Sequence, residues 1–231
     1  MQSKLTVNLA DIFNSLQTEN YVIIKANENY FDHLRDGGDI DIFTLDPKRI
    51  IQAISSYVGS NHPTFSTEVT RLDHQLHIDI LENDRLIIRF DLYLSMPTYK
   101  NINVKNSFFE WTISRSTIIE KNGIYFSIPH KIDDCVLRVL EFNEYYYNRP
   151  DKIKHLNYIE TNCTNIEISQ ALSLLHYFTK LPQPELKKLS RYKKFKQNLR
   201  MFYTKIIKLK KFHSKNGINK TIIKIIQHVK K

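Results

Sequence analysis

Two stretches with the same internal rhythm constrain this chain most. In GGDIDIF, residues 37 to 43, and in RLIIRFDLYL, residues 85 to 94, apolar and polar side chains alternate. Period-two alternation marks a β-strand with one buried face, because successive side chains point to opposite sides of a sheet. Asp39 and Asp41 therefore share one face, their Cα atoms about 6.5 Å apart, while Ile40 and Ile42 share the other. In the second stretch Arg89, Asp91 and Tyr93 take one face and Ile88, Phe90 and Leu92 the other. Two like charges on one face repel, and a hard divalent cation such as magnesium suits a pair of carboxylates.

The surrounding pattern is a mixed one. NLADIFNSLQT (8 to 18) reads as a short helix, and YVIIK (21 to 25) as a strand rich in β-branched residues. DPKRIIQAISSYV after the Asp strand reads as a helix, with Asp46 as its cap and Pro47 at its first position. FSTEVTRL, HQLHIDIL and RLIIRFDLYL read as strands, and Glu82-Asn83-Asp84 supplies turn chemistry for a hairpin between the last two. A mixed region with FFEWTIS follows, then the strand GIYFSI. From Pro129 the periodicity turns helical, in KIDDCVLRVLEFNEYYY and again at 166 to 180, with a break at Arg149-Pro150. The expected fold is α/β of the α+β kind, a small mixed sheet with flanking helices and a helical C-terminal part. The expected divisions are 1 to 127, 128 to 184 and 185 to 231.

Charge separates the last of these from the rest. From Leu186 to Lys231 there are 16 Lys and Arg and no Asp or Glu, leaving 18 basic against 24 acidic residues before it. Leu189, Tyr192, Phe195, Leu199, Phe202 and Ile206 fall three or four apart, so the tail reads as a basic amphipathic helix. Such a helix packs on its own protein, lies on an anionic membrane, or binds nucleic acid. Cys135 and Cys163 lie in no Cys-x-x-Cys pattern, which suggests neither a disulfide framework nor a cysteine-rich zinc site. An intracellular protein is the simpler reading, since no secretory signal or long apolar run is evident.

Phosphoryl-transfer sites that clamp two metal ions commonly add a third carboxylate from a neighbouring strand. Asp91 is the candidate, and Asp79 in LHIDIL the weaker one. The order strand, loop, GGDIDIF, helix and RFDLY resembles the nucleotidyltransferase superfold of DNA polymerase β and its relatives. Within that group, YVIIKANENYFDHLRDGGDIDIF is most similar to nucleotidyltransferase-like proteins of bacterial capsule and surface-polysaccharide clusters. The resemblance covers roughly residues 18 to 160 and implies that Asp39, Asp41 and Asp91 hold magnesium or manganese against a nucleoside triphosphate or nucleotide-sugar donor. One departure stands out. Typical members carry Gly-Ser or Gly-Gly after the first strand, where backbone amides hold the triphosphate. Here Ala26-Asn27-Glu28-Asn29 follows, so Lys25 and Asn27, with Gly37 and Gly38, are the groups left for donor contacts.

The implied acceptor is a sugar, a polyol or a lipid-linked glycan, which sets the protein in the cytoplasm at the inner membrane face with its basic tail on lipid. A toxin-like nucleotidyltransferase acting on RNA or protein is an alternative, as is a binding module that keeps the fold without the chemistry. Lys25 reads first as a solvated strand end and only second as a phosphate ligand. His74 and His77, three apart in a strand, face opposite sides and do not suggest a shared metal site. His130, His155 and His176 read as partner-bonded or surface histidines, and Tyr145, Tyr146 and Tyr147 as helix packing.

Overall fold

A five-stranded mixed sheet organises the chain, seen in a computed structural model that describes residues 5–61, 63–99, 102–145 and 149–179. The strands are β1 (Tyr21–Ile23), β2 (Gly38–Thr44), β3 (Phe65–Arg71), β4 (Gln75–Glu82) and β5 (Arg85–Tyr93), in the spatial order β1-β2-β5-β4-β3. Only β2 and β5 run parallel; the other neighbours are antiparallel. The two carboxylate-bearing strands are thus adjacent at the centre, joined through the crossover helix α2 (Pro47–Asn61) and the β3–β4 hairpin.

Short-range chemistry explains the joints. Gly37 has φ +81°, a left-handed conformation that side chains resist, and a Cβ on Gly38 would lie 2.9 Å from the Arg35 carbonyl oxygen. This turn delivers the chain to Asp39. Asn83 and Asp84 both have positive φ, as the central residues of a two-residue hairpin turn require. Pro47 opens α2, and the Asp46 side chain accepts from the Lys48 backbone N–H at 3.1 Å. Asp46→Ala removes that cap and is expected to cost about 1 kcal/mol in urea denaturation.

Each face of the sheet has its own cover. Ile40, Ile42, Ile88, Phe90 and Leu92 share one core with Ile12 and Phe13 of α1 (Leu9–Asn14) and Ile50 and Ile54 of α2. On the other face, Phe43 joins Phe108 and Phe109 of α3 (Ser107–Ser114), Val136 and Leu140 of α4 (Lys131–Tyr145) and Leu175 of α6 (Asn165–Thr179). A two-stranded ribbon, β6 (Thr117–Lys121) and β7 (Ile124–Ile128), turns on Asn122-Gly123, and α5 (Ile153–Asn162) links α4 to α6.

The expectation of a small mixed sheet with flanking helices and C-terminal helices is met. Several boundaries differ. The 21 to 25 strand stops at Ile23, because Lys25 takes φ +62°, and the first helix ends at Asn14. FFEWTIS is helical, burying Phe108, Phe109, Thr112 and Ile113. The basic tail and the LPQP segment lie outside the described residues, as do the side chains of Tyr145, Tyr146 and Tyr147.

Candidate metal centre

Parallel pairing sets the register that brings the carboxylates together. Asp41 on β2 lies opposite Asp91 on β5, and Asp39 lies opposite Arg89. One ligand oxygen from each of Asp39, Asp41 and Asp91 falls within 4.8 Å of the others, with Asp39 exposed and the other two partly buried. These are the three residues that alternation placed on one face. Farther along that face Phe43 and Tyr93 pass beneath the helices, so the carboxylates stand beside the edge of the helical layer.

Their neighbours are polar and specific. Lys25 Nζ is 2.6 Å from Asp41 Oδ2 and 3.8 Å from Glu141 Oε2, and Lys152 Nζ donates to Glu141 Oε1. The Tyr93 hydroxyl donates to Asp41 Oδ1 at 3.4 Å, and the Tyr30 hydroxyl to the Asp39 carbonyl at 3.2 Å. Burial, with the neighbouring carboxylates, keeps both phenols protonated far above neutral pH. Asp79 is committed elsewhere, in a two-pronged pair with Arg89 at 2.7 Å on both prongs.

Charge balance in this cluster is incomplete. Asp39, Asp41, Asp91 and Glu141 gather around Lys25 and Lys152, and Arg89, which also attracts Asp91 and Asp39, is bound to Asp79. With every carboxylate ionised the cluster carries a formal excess of two negative charges, equal to one divalent ion. Burial first, then Asp41 and Asp39, pushes the Asp91 carboxyl up to about 7. Burial tends to lower Lys25, yet Asp41 and Glu141 hold its ammonium above the usual range. Burial tends to raise Glu141, and Lys25 and Lys152 hold it below. Asp91 Oδ1 is buried and without a hydrogen-bond partner; His77 Nε2 stands 3.5 Å away, too far for a well-formed bond. An orphaned carboxylate oxygen inside an all-oxygen set fits a hard divalent cation.

The remaining expected residues are placed less suggestively. The Asn27 side chain accepts from the Asn29 backbone N–H at 2.9 Å, closing a local turn. Gly37 and Gly38 are accounted for by the turn before β2. His77, Tyr30, Glu141 and Lys152 are not foreshadowed at the centre, whereas Tyr93 lies on the face that alternation gives to Asp91. His77 arrives through antiparallel pairing opposite Asp91, and Glu141 through α4, a helix distant in sequence.

No protein-family model matches this chain, and no curated protein matches it. Solved structures do. A candidate nucleotidyltransferase from Helicobacter pylori aligns over 73% of this chain and 73% of its own, with a TM-score of 0.46 and 10% identity. An antigenic nucleotidyltransferase-like protein from Paracoccidioides brasiliensis aligns over 73% of this chain and 84% of its own, with a TM-score of 0.37 and 12% identity. Likeness at this distance assigns neither family nor substrate, and leaves function to the chemistry of the carboxylates.

Proposed function

We propose that this chain is a divalent-metal-dependent transferase of nucleotidyltransferase type, moving a nucleotidyl or phosphoryl group from a nucleotide donor to a hydroxyl acceptor. The observation that carries the reading is the Asp39, Asp41 and Asp91 constellation, with its orphaned buried oxygen and crowded carboxylates. Those three side chains would hold magnesium or manganese, which supplies neutralisation of phosphate oxygens and a lowered pKa for an attacking hydroxyl. Asp39, the most exposed, faces incoming substrate. Asp91, balanced near neutrality, is suited to take the acceptor proton. Tyr93 orients the Asp41 carboxylate, Tyr30 holds the Asp39 backbone carbonyl, and Lys25, beside Asp41, is the cation closest to where donor phosphates would meet the metal.

In this reading residues 1 to 127 hold metal and donor, 128 to 184 close over substrate, and 185 to 231 meet an anionic surface. A place in surface-polysaccharide synthesis, with a sugar, polyol or lipid-linked glycan as acceptor at the inner membrane face, rests on sequence resemblance. No helix among the described residues is long and apolar enough to cross a membrane.

Calorimetry with magnesium or manganese and a panel of nucleoside triphosphates and nucleotide sugars tests the proposal. Nucleotide binding is expected only with metal, and Asp39→Asn/Asp41→Asn is expected to abolish it. Metal-independent binding, or binding retained by the double variant, would refute the assignment.

One contact favours a second reading. Lys25 already bonds Asp41 at 2.6 Å, as an internal cation would in a non-catalytic relative. Lys25→Met separates the two. For a transferase, the variant binds metal at least as tightly but the metal–nucleotide complex about tenfold or more weakly, a loss of at least about 1.4 kcal/mol. For a non-catalytic module, metal binding appears only in the variant.

A further inference from the structure

The chain has only two cysteines, and the fold brings them into contact. Cys135 is buried in the second turn of α4, and Cys163 is partly exposed at the C-terminal end of α5. Their Sγ atoms are 2.8 Å apart across 28 positions of sequence. A covalent S–S bond measures about 2.05 Å, so closing one here asks for less than about 1 Å of movement. We infer that Cys135 and Cys163 form a redox modification site, closed to an intramolecular disulfide by a low-molecular-weight disulfide such as oxidised glutathione.

The surroundings hold the sulfurs in place while both are reduced. Cys163 donates its backbone N–H to Ile159 at 2.9 Å, ending α5. Thr164, the next residue, caps α6: its N–H and hydroxyl donate to Glu167 Oε2 at 2.7 and 3.0 Å, and its hydroxyl oxygen accepts from the Glu167 N–H at 3.3 Å. Glu167 Oε1 in turn pairs with Lys131 Nζ at 2.9 Å, four residues before Cys135 on α4. The joint between α5 and α6 is therefore tied to the start of α4 next to the thiols. This tie restricts the freedom that usually makes thiol pairing slow.

The exposures fix the order of events. Burial pushes the Cys135 thiol up, which leaves the accessible Cys163 as the attacking group. Its thiolate attacks the glutathione disulfide, one S–S bond forming as another breaks, and one glutathione thiolate departs. Cys135 then attacks the Cys163 sulfur of the mixed disulfide, and its proton leaves with the second glutathione. The chain loses two electrons and two protons, and one disulfide becomes two thiols.

The test uses the full chain, reduced, then exposed to oxidised glutathione, alkylated and weighed intact. The expected product is monomeric, lighter by two hydrogens, without alkylatable thiol, and gives a Cys135–Cys163 cross-linked peptide under non-reducing digestion. Its thermal midpoint should rise by several degrees over that of the reduced chain. Cys135→Ser is expected to stop at one glutathione on Cys163, and Cys163→Ser to keep a free, unmodified Cys135. If either variant fails to fold, the wild-type mass and peptide map decide alone. Two free thiols, glutathione adducts without a cross-link, or disulfide-linked dimers would each overturn the inference.

Discussion

Arg138→Met is expected to destabilise the protein by about 3–5 kcal/mol, a large share of the total stability of a typical domain. Arg138 is almost fully buried, and its Nε donates to the equally buried Asp134 Oδ2 at 2.6 Å. Its Nη2 donates to the Lys25 carbonyl at 2.6 Å, and the guanidinium lies 3.7 Å from the centroid of the Tyr158 ring. Methionine keeps the volume and loses all three. Asp134, whose Oδ1 has no hydrogen-bond partner, is then buried without its hydrogen-bonded cation. Chemical denaturation measures the loss, and Asp134→Leu/Arg138→Met should recover much of it, because no unpaired charge remains inside. A single-variant loss below about 1 kcal/mol would mean that the pair is not the anchor described. The Lys25 contact links this anchor to the centre: Arg138 grips the carbonyl of a residue at φ +62°, whose ammonium in turn holds Asp41.

Alternation made the Asp39, Asp41 and Asp91 face legible, because a half-buried strand writes its two faces into every second residue. The covering helices were legible for the same reason where their apolar stripe was long, as in α4. What alternation lacks is register. Counting back from the Asn83-Asp84 turn pairs His77 with Phe90 and Asp79 with Ile88. The register shifts between Ile80 and Leu81, so His77 meets Asp91 and Asp79 meets Arg89 instead. One irregularity thus decides which carboxylate is free and which is committed. Lys25 read as a solvated strand end because nothing local reveals that Glu141 and Arg138, more than 110 positions away, converge on it. The contact between Cys135 and Cys163 is hidden likewise, since helix packing rather than spacing creates it.

Asp91 gives the centre a pH signature that metal should reverse. Its carboxyl titrates at about 7 in the folded chain, raised by burial and then by Asp41 and Asp39, against 3.8 when free of that environment. His77 offers little positive charge to offset it, since burial and then Arg89 hold its pKa below the usual imidazole value. Between those two values the folded state holds a proton that the unfolded state has released. Its stabilising contribution is therefore full below the lower value and is lost as pH rises through about 7. A divalent ion requires the deprotonated carboxylate, so magnesium should raise the thermal midpoint strongly at about pH 8 and little at about pH 5.5. At a hundredfold excess over its dissociation constant the ion contributes about 2.7 kcal/mol. Titrating groups outside this cluster contribute equally to wild type and Asp91→Asn, so the difference between the two isolates the site. Without metal at pH 8, Asp91→Asn should be at least as stable as wild type, because it removes one of three crowded charges. With magnesium the order should invert. Identical pH and magnesium dependence in the two proteins would show that Asp91 neither carries the displaced proton nor binds the ion, and the carboxylate face would then hold only the positive charge that Lys25 already supplies.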